Sequence, residues 1–364
     1  MSVIEHVTLY RLKVPLTTPY KLAFGPVRAF DTILVEAVDS DGREGLGEAT
    51  LLTGYTEETI DGSWALAREL ALRMVGRSPM DAKRVAEAAV GAAPFTTTAL
   101  ATAVDMLEGH PCLSVERTTT VPLLGLVNGT QAHELESEIE KLLSEGHGTL
   151  KIKVGFDPER DARKVALVQR FNRGRARLRI DANQGYNVDE ARRFLRTLDP
   201  AGVELFEQPC AAGDWTAAKA VAEISPVPMM LDESIYGLED IDRAARLRCA
   251  SFIKLKLMKM GSLDRLKAGI ERIRALGMEP VLGNGVACEI GCWMEACVAR
   301  ETIGNAGEMN GFLKPVSRLL ERPLRFERGA IVLEPGDRPS LDRDALARYT
   351  VAREGFSAKA SAAL

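Results

Sequence analysis

The chain of 364 residues is 46% hydrophobic and 27% charged, with a formal net charge of −4. That balance supports one large domain plus a smaller one and carries no basic block, which excludes nucleic acid as a partner while leaving room for a local cationic pocket. No uninterrupted apolar stretch matches a membrane span and no leader-like run follows Met1, so a cytoplasmic protein without a membrane partner is expected. The six cysteines are scattered and read as reduced, and no C-x-x-C or H-x-x-x-H pair offers zinc its usual spacing.

Residues 4–14 and 31–38 read as strands, joined by a long aromatic connector over residues 17–26. A second loop, residues 50–55, leads into helical periodicity over 57–74, 81–89 and 97–107. Strands followed by helices make a compact α+β unit ending near Arg117. From Thr120 onward, short apolar runs alternate with amphipathic helices. The runs are residues 121–127, 149–155, 177–184, 203–209, 228–234, 252–261, 279–283 and 305–311. One intervening helix carries Leu135, Ile139, Leu142 and Leu143 on one face, another opens with Asp157 as N-cap before Pro158, and a third stacks Leu263, Leu266, Ile270 and Ile273. Eight strands alternating with helices read as a β/α barrel closed in sequence order. A doubly wound open sheet is the alternative, but its Gly-rich first turn is absent. Beyond Pro323 the alternation stops, and the chain is expected to pack back on the first domain, with residues 357–364 as a frayed tail.

Within the second run, Thr149-Leu150-Lys151-Ile152-Lys153-Val154-Gly155, Lys151 and Lys153 share one face and Leu150, Ile152 and Val154 the other. Lysine is rarely buried without a partner, so negative charge is required nearby. The strand ends supply it, with Asp181 and Asn183 on the third strand, Glu207 on the fourth and Asp232 on the fifth, before Lys254, Lys256 and Lys259 on the sixth. Each residue alone has a bland reading: a strand-end acid is more often a cap or ion pair, Lys254 and Lys259 are more simply structural, and Arg177 and Arg179 suit a salt bridge low in the barrel. The joint register outweighs these readings. Three acids in one buried mouth require a cation, and all-oxygen ligands point to Mg2+, with Mn2+ next. The histidines, His6, His110, His133 and His147, all precede these strand ends. The metal would bind a substrate carboxylate and stabilise the enediolate left when its α-proton departs. Lys151 beside Lys153 makes an ammonium pair costly and prepares Lys153 as the base, while Lys256, roughly opposite in an eight-stranded ring, addresses the other face of the same carbon.

At these residues the sequence resembles the enolase superfamily, specifically its muconate-lactonising subgroup, over nearly the whole chain. The resemblance implies a modified (β/α)7β barrel over residues 119–323, a capping domain over 1–118 and a C-terminal segment, 324–364, that completes the cap. It identifies Lys151-Ile152-Lys153 with the K-x-K base motif, with Lys153 as the acting base. It makes Asp181, Glu207 and Asp232 the metal ligands and Lys256 the second acid/base. A lysine base working with Mg2+ is well-known chemistry of this superfamily and not a new deduction. Two capping loops are implied over the mouth, at 20–25 and 50–55. Phe24 and Tyr55 would wall the pocket or pack the interface, Tyr20 is a further substrate-binding candidate, and Lys21 and Arg28 would meet a second anionic group or solvent. Glu308 and Asn284 join the substrate-binding candidates, together with Asn183. The eighth run, Asn305-Ala306-Gly307-Glu308-Met309-Asn310-Gly311, lacks the Asp-x-Asp pair with which related dipeptide epimerases hold an amino group, and its Gly-Glu is similar to some muconate cycloisomerases.

The leading expectation is therefore a muconate-type cycloisomerase acting on a small-molecule carboxylate, and homo-oligomers are usual in the resembled family. A racemase or epimerase of an amino acid derivative keeps the same site, as does a dehydratase or an o-succinylbenzoate-synthase-like reaction. A Schiff-base lyase built on Lys153 or Lys256 is the alternative from another class, distinguished by borohydride trapping that survives metal removal.

Overall fold

The computed structural model describes residues 2–22, 25–52 and 56–358, the side chains of residues 20–22 and 25 excepted. Strands β1 (Ile4–Leu22) and β2 (Gly25–Asp39) form one antiparallel hairpin whose register shifts between Pro15 and Tyr20. The described residues of the connector foreseen at 17–26 thus continue the strands. Alternation sets both faces: Val7, Leu9, Ile33 and Val35 enter one core, while Tyr10, Leu12, Val14 and Leu34 enter another. A further strand, β3 (Glu44–Leu51), was not legible as such, because Gly45 and Gly47 weaken strand propensity. Those glycines serve packing: a Cβ at Gly45 would lie 2.0 Å from Ala103 O, and one at Gly47 2.2 Å from Ala99 O. Helices α1 (Ile60–Met74), α2 (Pro79–Glu87) and α3 (Pro94–Leu107) follow, and every residue of α3 is buried.

The run at 121–127 divides in two. Strand β4 (Thr119–Pro122) pairs outside the barrel, and β5 (Gly125–Val127) opens the parallel sheet. Helix α4 (Ala132–Ser144) leads to β6 (Thr149–Lys153), then α5 (Pro158–Asn172), β7 (Arg177–Asp181), α6 (Val188–Thr197), β8 (Val203–Glu207) and α7 (Trp215–Ala222). Strand β9 (Met229–Leu231), α8 (Leu238–Leu247), β10 (Phe252–Leu255), the short turn α9 (Leu257–Met260), α10 (Leu263–Ala275), β11 (Glu279–Leu282) and α11 (Glu289–Thr302) continue the alternation. The sheet runs β5 to β11 in chain order, each strand parallel to the next. The eighth strand is reduced to a bridge. Leu124 N, just before β5, donates to Gly307 O at 2.9 Å and Glu308 N donates to Leu282 O at 2.9 Å, so residues 307–308 join the two edges of the sheet.

Outward-facing Leu150, Ile152, Leu178, Ile180 and Phe206 pack under the helices, as period-two alternation requires. In the barrel interior, Leu205, Met230 and Val281 form a small apolar plug with Phe252 packed against it. Below the mouth, Arg179 is fully buried and donates to Glu204 at 2.6 Å and to Ala306 O at 2.9 Å; Arg177 reaches the same Glu204 at 3.2 Å. Strands β12 (Phe326–Glu327) and β13 (Ala330–Leu333) form a small sheet with β4. After α12 (Arg343–Tyr349), β14 (Thr350–Ser357) pairs with β1.

Candidate active site

Lys151 and Lys153 project from one face of β6, and Gly155 explains how the chain leaves that strand. Its φ of 94° suits glycine, and a Cβ there would lie 2.3 Å from Ala182 O in the next strand's loop. Lys151 is 2% exposed, and its ammonium lies 2.9 Å from Asp181 Oδ2, 2.8 Å from Glu207 Oε2 and 2.9 Å from Glu308 Oε2. The Glu207 contact is close but outside hydrogen-bonding geometry. Burial disfavours the Lys151 ammonium, but the charges of Asp181, Glu207 and Glu308 outweigh it and hold the group well above the usual lysine range.

The acids arrive on consecutive strands: Asp181 ends β7, Glu207 ends β8, and Asp232 directly follows β9. All three are buried. Lys254, on β10, bridges Glu207 and Asp232, with its ammonium 3.1 Å from Glu207 Oε1, 3.6 Å from Asp232 Oδ2 and in direct contact with Glu308. Lys256 Nζ donates to Asp232 Oδ2 at 2.7 Å. The sixth strand ends at Leu255, not Gly261, so Lys259 belongs to the turn α9, from which it reaches Asp232 O at 2.8 Å and Asp232 Oδ1 at 3.1 Å. Burial opposes charge on Asp232, yet Lys256, Lys259 and Lys254 hold its carboxyl well below the usual carboxylate range. Burial drives the Glu207 carboxyl the other way, upward, with Asp181 adding to the rise. Lys151 and Lys254 overcome burial at Glu308 and keep it ionised.

Lys151, Lys153, Asp181, Asn183, Asp232, Lys254, Lys256, Asn284 and Glu308 line one narrow pocket with Gly285 and Val286. Asn183 donates from Nδ2 to Glu233 Oε1 at 3.1 Å, and its backbone N–H donates to Asp181 Oδ1 at 2.8 Å. The amide of Asn284 is engaged within its own loop, accepting from Val286 N at 2.9 Å and donating to Val286 O at 2.5 Å. Arg28 is exposed. Phe24, Tyr55 and the side chains of Tyr20 and Lys21 lie outside the described residues.

Sequence reasoning set Lys254 aside as structural and passed over Glu233, although Lys254 has the same i, i+2 spacing to Lys256 as Lys151 has to Lys153. Glu233 is 9% exposed, and burial lifts its carboxyl to about 7, with Asp232 contributing.

The donor set fits a hard divalent cation. It consists of buried carboxylates on adjacent strand ends, converging on ammonium groups that already mark a site for positive charge. Among the described residues, the tight grouping of three ligand-type side chains lies elsewhere, at Asp105, His110 and Asp264, where Lys83 sits 2.5 Å from both acids.

A barrel mouth of this construction under an α+β cap defines the class: the chain belongs to the mandelate racemase/muconate lactonizing enzyme family of the enolase superfamily. Residues 5–107 match the mandelate racemase / muconate lactonizing enzyme N-terminal domain, and residues 134–339 match the enolase C-terminal domain-like family. Among curated relatives, the L-Ala-D/L-Glu epimerase of Clostridium acetobutylicum is 29% identical, covering 82% of this chain and 84% of its own. Muconate cycloisomerase 1 of Rhodococcus opacus is 28% identical, over 93% of this chain and 96% of its own. A solved dipeptide epimerase from Cytophaga hutchinsonii, complexed with Mg and a dipeptide, shares the fold with a TM-score of 0.87 at 20% identity, over 98% of this chain and 100% of that one. No described helix is long and apolar enough to cross a membrane.

Proposed function

We propose that this chain is a Mg2+-dependent isomerase that forms or protonates an enediolate α to a substrate carboxylate and, within that class, a muconate-type cycloisomerase. The observation that carries the reading is the convergence of Asp181, Glu207 and Asp232 from successive strand ends between two lysine-bearing strands. Asp181, Glu207 and Asp232 would hold a divalent cation, which would supply charge stabilisation to a substrate carboxylate. Mn2+ suits the same ligands.

The chain's own side chains do the remaining work. Lys153, from β6, and Lys256, following β10, stand on strands separated by β7, β8 and β9, so they approach the pocket from different sides. One takes or returns the proton at the carbon α to the carboxylate, and the other meets the opposite face. Lys151 stands among Asp181, Glu207 and Glu308 and holds them in register. Asn183 and Glu233 brace the rim beside Asp181 and Asp232.

The anionic-substrate reading is supported by Glu308. It occupies the eighth-strand position, where an acid would be needed for a substrate ammonium group, but it is engaged by Lys151 and Lys254. The alternative, a racemase or epimerase of an amino acid derivative, is favoured by the lysines on two sides of the pocket and by the epimerase relatives.

The test is proton exchange by NMR. The Mg2+-loaded protein in D2O is offered muconolactone, N-acyl amino acids, dipeptides and proline derivatives. Deuterium is expected α to a carboxylate, and its appearance is lost in Lys153→Ala. Exchange persisting undiminished in that variant would sink the assignment.

A further inference from the structure

The turn that follows Lys256 has no cap of its own. Lys256 stands at the N-cap position of α9 in extended backbone, with φ −129° and ψ 129°, and its side chain makes no capping hydrogen bond. The N–H groups at a helix start need acceptors. Here a distant side chain supplies one: Glu295, in the middle of α11, accepts from Leu257 N at 2.8 Å. Glu295 is 2% exposed, the backbone N–H of Asn284 also faces its carboxylate, and its Oε2 meets no hydrogen-bond partner among the described residues. A buried polar atom without a partner is costly, so this acid is poorly explained as a packing element. On the other side of the same turn, Thr98 Oγ1 of α3 lies 3.2 Å from both Leu257 O and Met258 O. The segment that carries Lys256 is therefore held between a barrel helix and a helix of the cap.

We propose that Glu295 is a positioning residue for Lys256: by accepting the Leu257 N–H it fixes the turn that sets the Lys256 ammonium against Asp232. The proposal rests on the reading of Lys256 as an acid/base, but its geometry does not. Glu295 makes no contact with substrate in this role. It acts on the backbone one residue beyond the lysine, and a displacement of about 1 Å at a reacting group can cost about 10²-fold in rate.

Two variants separate positioning from mere folding. Glu295→Ala removes the acceptor, whereas Glu295→Gln keeps a carbonyl oxygen for Leu257 N–H. Exchange in D2O is followed for both hands of an N-acyl amino acid, because each hand presents its α-hydrogen to one side of the pocket, and Lys153→Ala and Lys256→Ala show which hand reports on which lysine. Glu295→Ala is expected to slow the Lys256-dependent exchange at least about tenfold more than the Lys153-dependent exchange, and Glu295→Gln to restore it to within about twofold. Equal slowing of both hands, or no rescue by glutamine, overturns the proposal. A crystal structure of Glu295→Ala decides independently of turnover: the Lys256 ammonium is expected to leave its 2.7 Å contact with Asp232 Oδ2, and retention of that contact overturns the proposal. Should the wild type exchange neither hand, the functional reading fails for this substrate class, and the structural arm still decides the role of Glu295.

Discussion

Lys83, at the seam of α2, α3 and α10, and Lys151, inside the barrel, are both lysines surrounded by acids, yet their surroundings differ in kind. Lys83 contacts Asp105 and Asp264 at 2.5 Å each, and His110 completes the group at 3.1 Å from Asp264. Its Asp264 side chain is 64% exposed, and Asp105 also accepts from Leu263 N at the start of α10. That cluster joins cap to barrel and shares its charge with water. At the mouth, Lys151, Asp181, Glu207, Asp232, Lys254 and Lys256 are each 3% exposed or less, and they line or underlie a pocket. On the proposed reading of the mouth, proximity of ligand-type atoms is by itself a poor guide to a site. Successive strand ends, sealed from solvent and balanced only by lysines from other strands, are a better one.

The sharpest way to break this comparison is at the mouth itself. Asp181→Asn is expected to lower turnover by at least about 10³-fold with the fold intact, read by exchange rate and circular dichroism; near-normal activity would remove Asp181 from the site. Lys83→Met should do the reverse. It strands Asp105, whose burial already raises its carboxyl, and a loss of about 2–3 kcal/mol in urea unfolding is expected with turnover nearly unchanged.

Lys254→Met sharpens the contrast from the other side. It leaves Glu308 and Glu207 short of positive charge, so the metal-free protein should be less stable, while Mn2+ should bind about tenfold more tightly and raise the melting temperature more than in the wild type. Calorimetry gives the answer directly, and unchanged affinity would show that Lys254 does not share the cation's space.

A subtler effect is expected where the cap meets α11. Glu48, from β3, is buried against the Cys288, Ile290 and Gly291 N–H groups without closing a hydrogen bond of ordinary geometry, and burial lifts its carboxyl from 4.5 to about 8. Because its native value lies above its unfolded one, the folded chain binds the extra proton between these limits, and this contribution to stability is lost as pH rises from about 4.5 to about 8. Glu48→Gln should flatten that slope, seen as melting temperature against pH. An unaltered slope would place the titration elsewhere.

Much of this molecule is legible in its sequence. Period-two alternation placed Lys151 and Lys153 on one face and Ile152 on the other, and the spacing of Asp181, Glu207 and Asp232 announced a barrel mouth, because strand periodicity is a local property of the backbone. The folded chain alone decided the rest. It reduced the eighth strand to a bridge at Gly307, drew Lys254 into the acid cluster, curled Lys259 onto Asp232, and brought Glu295 and Thr98 to the turn after Lys256. Each of these is a contact between residues far apart in sequence, set by how helices pack on a closed sheet, and no local pattern encodes a partner that only closure brings near.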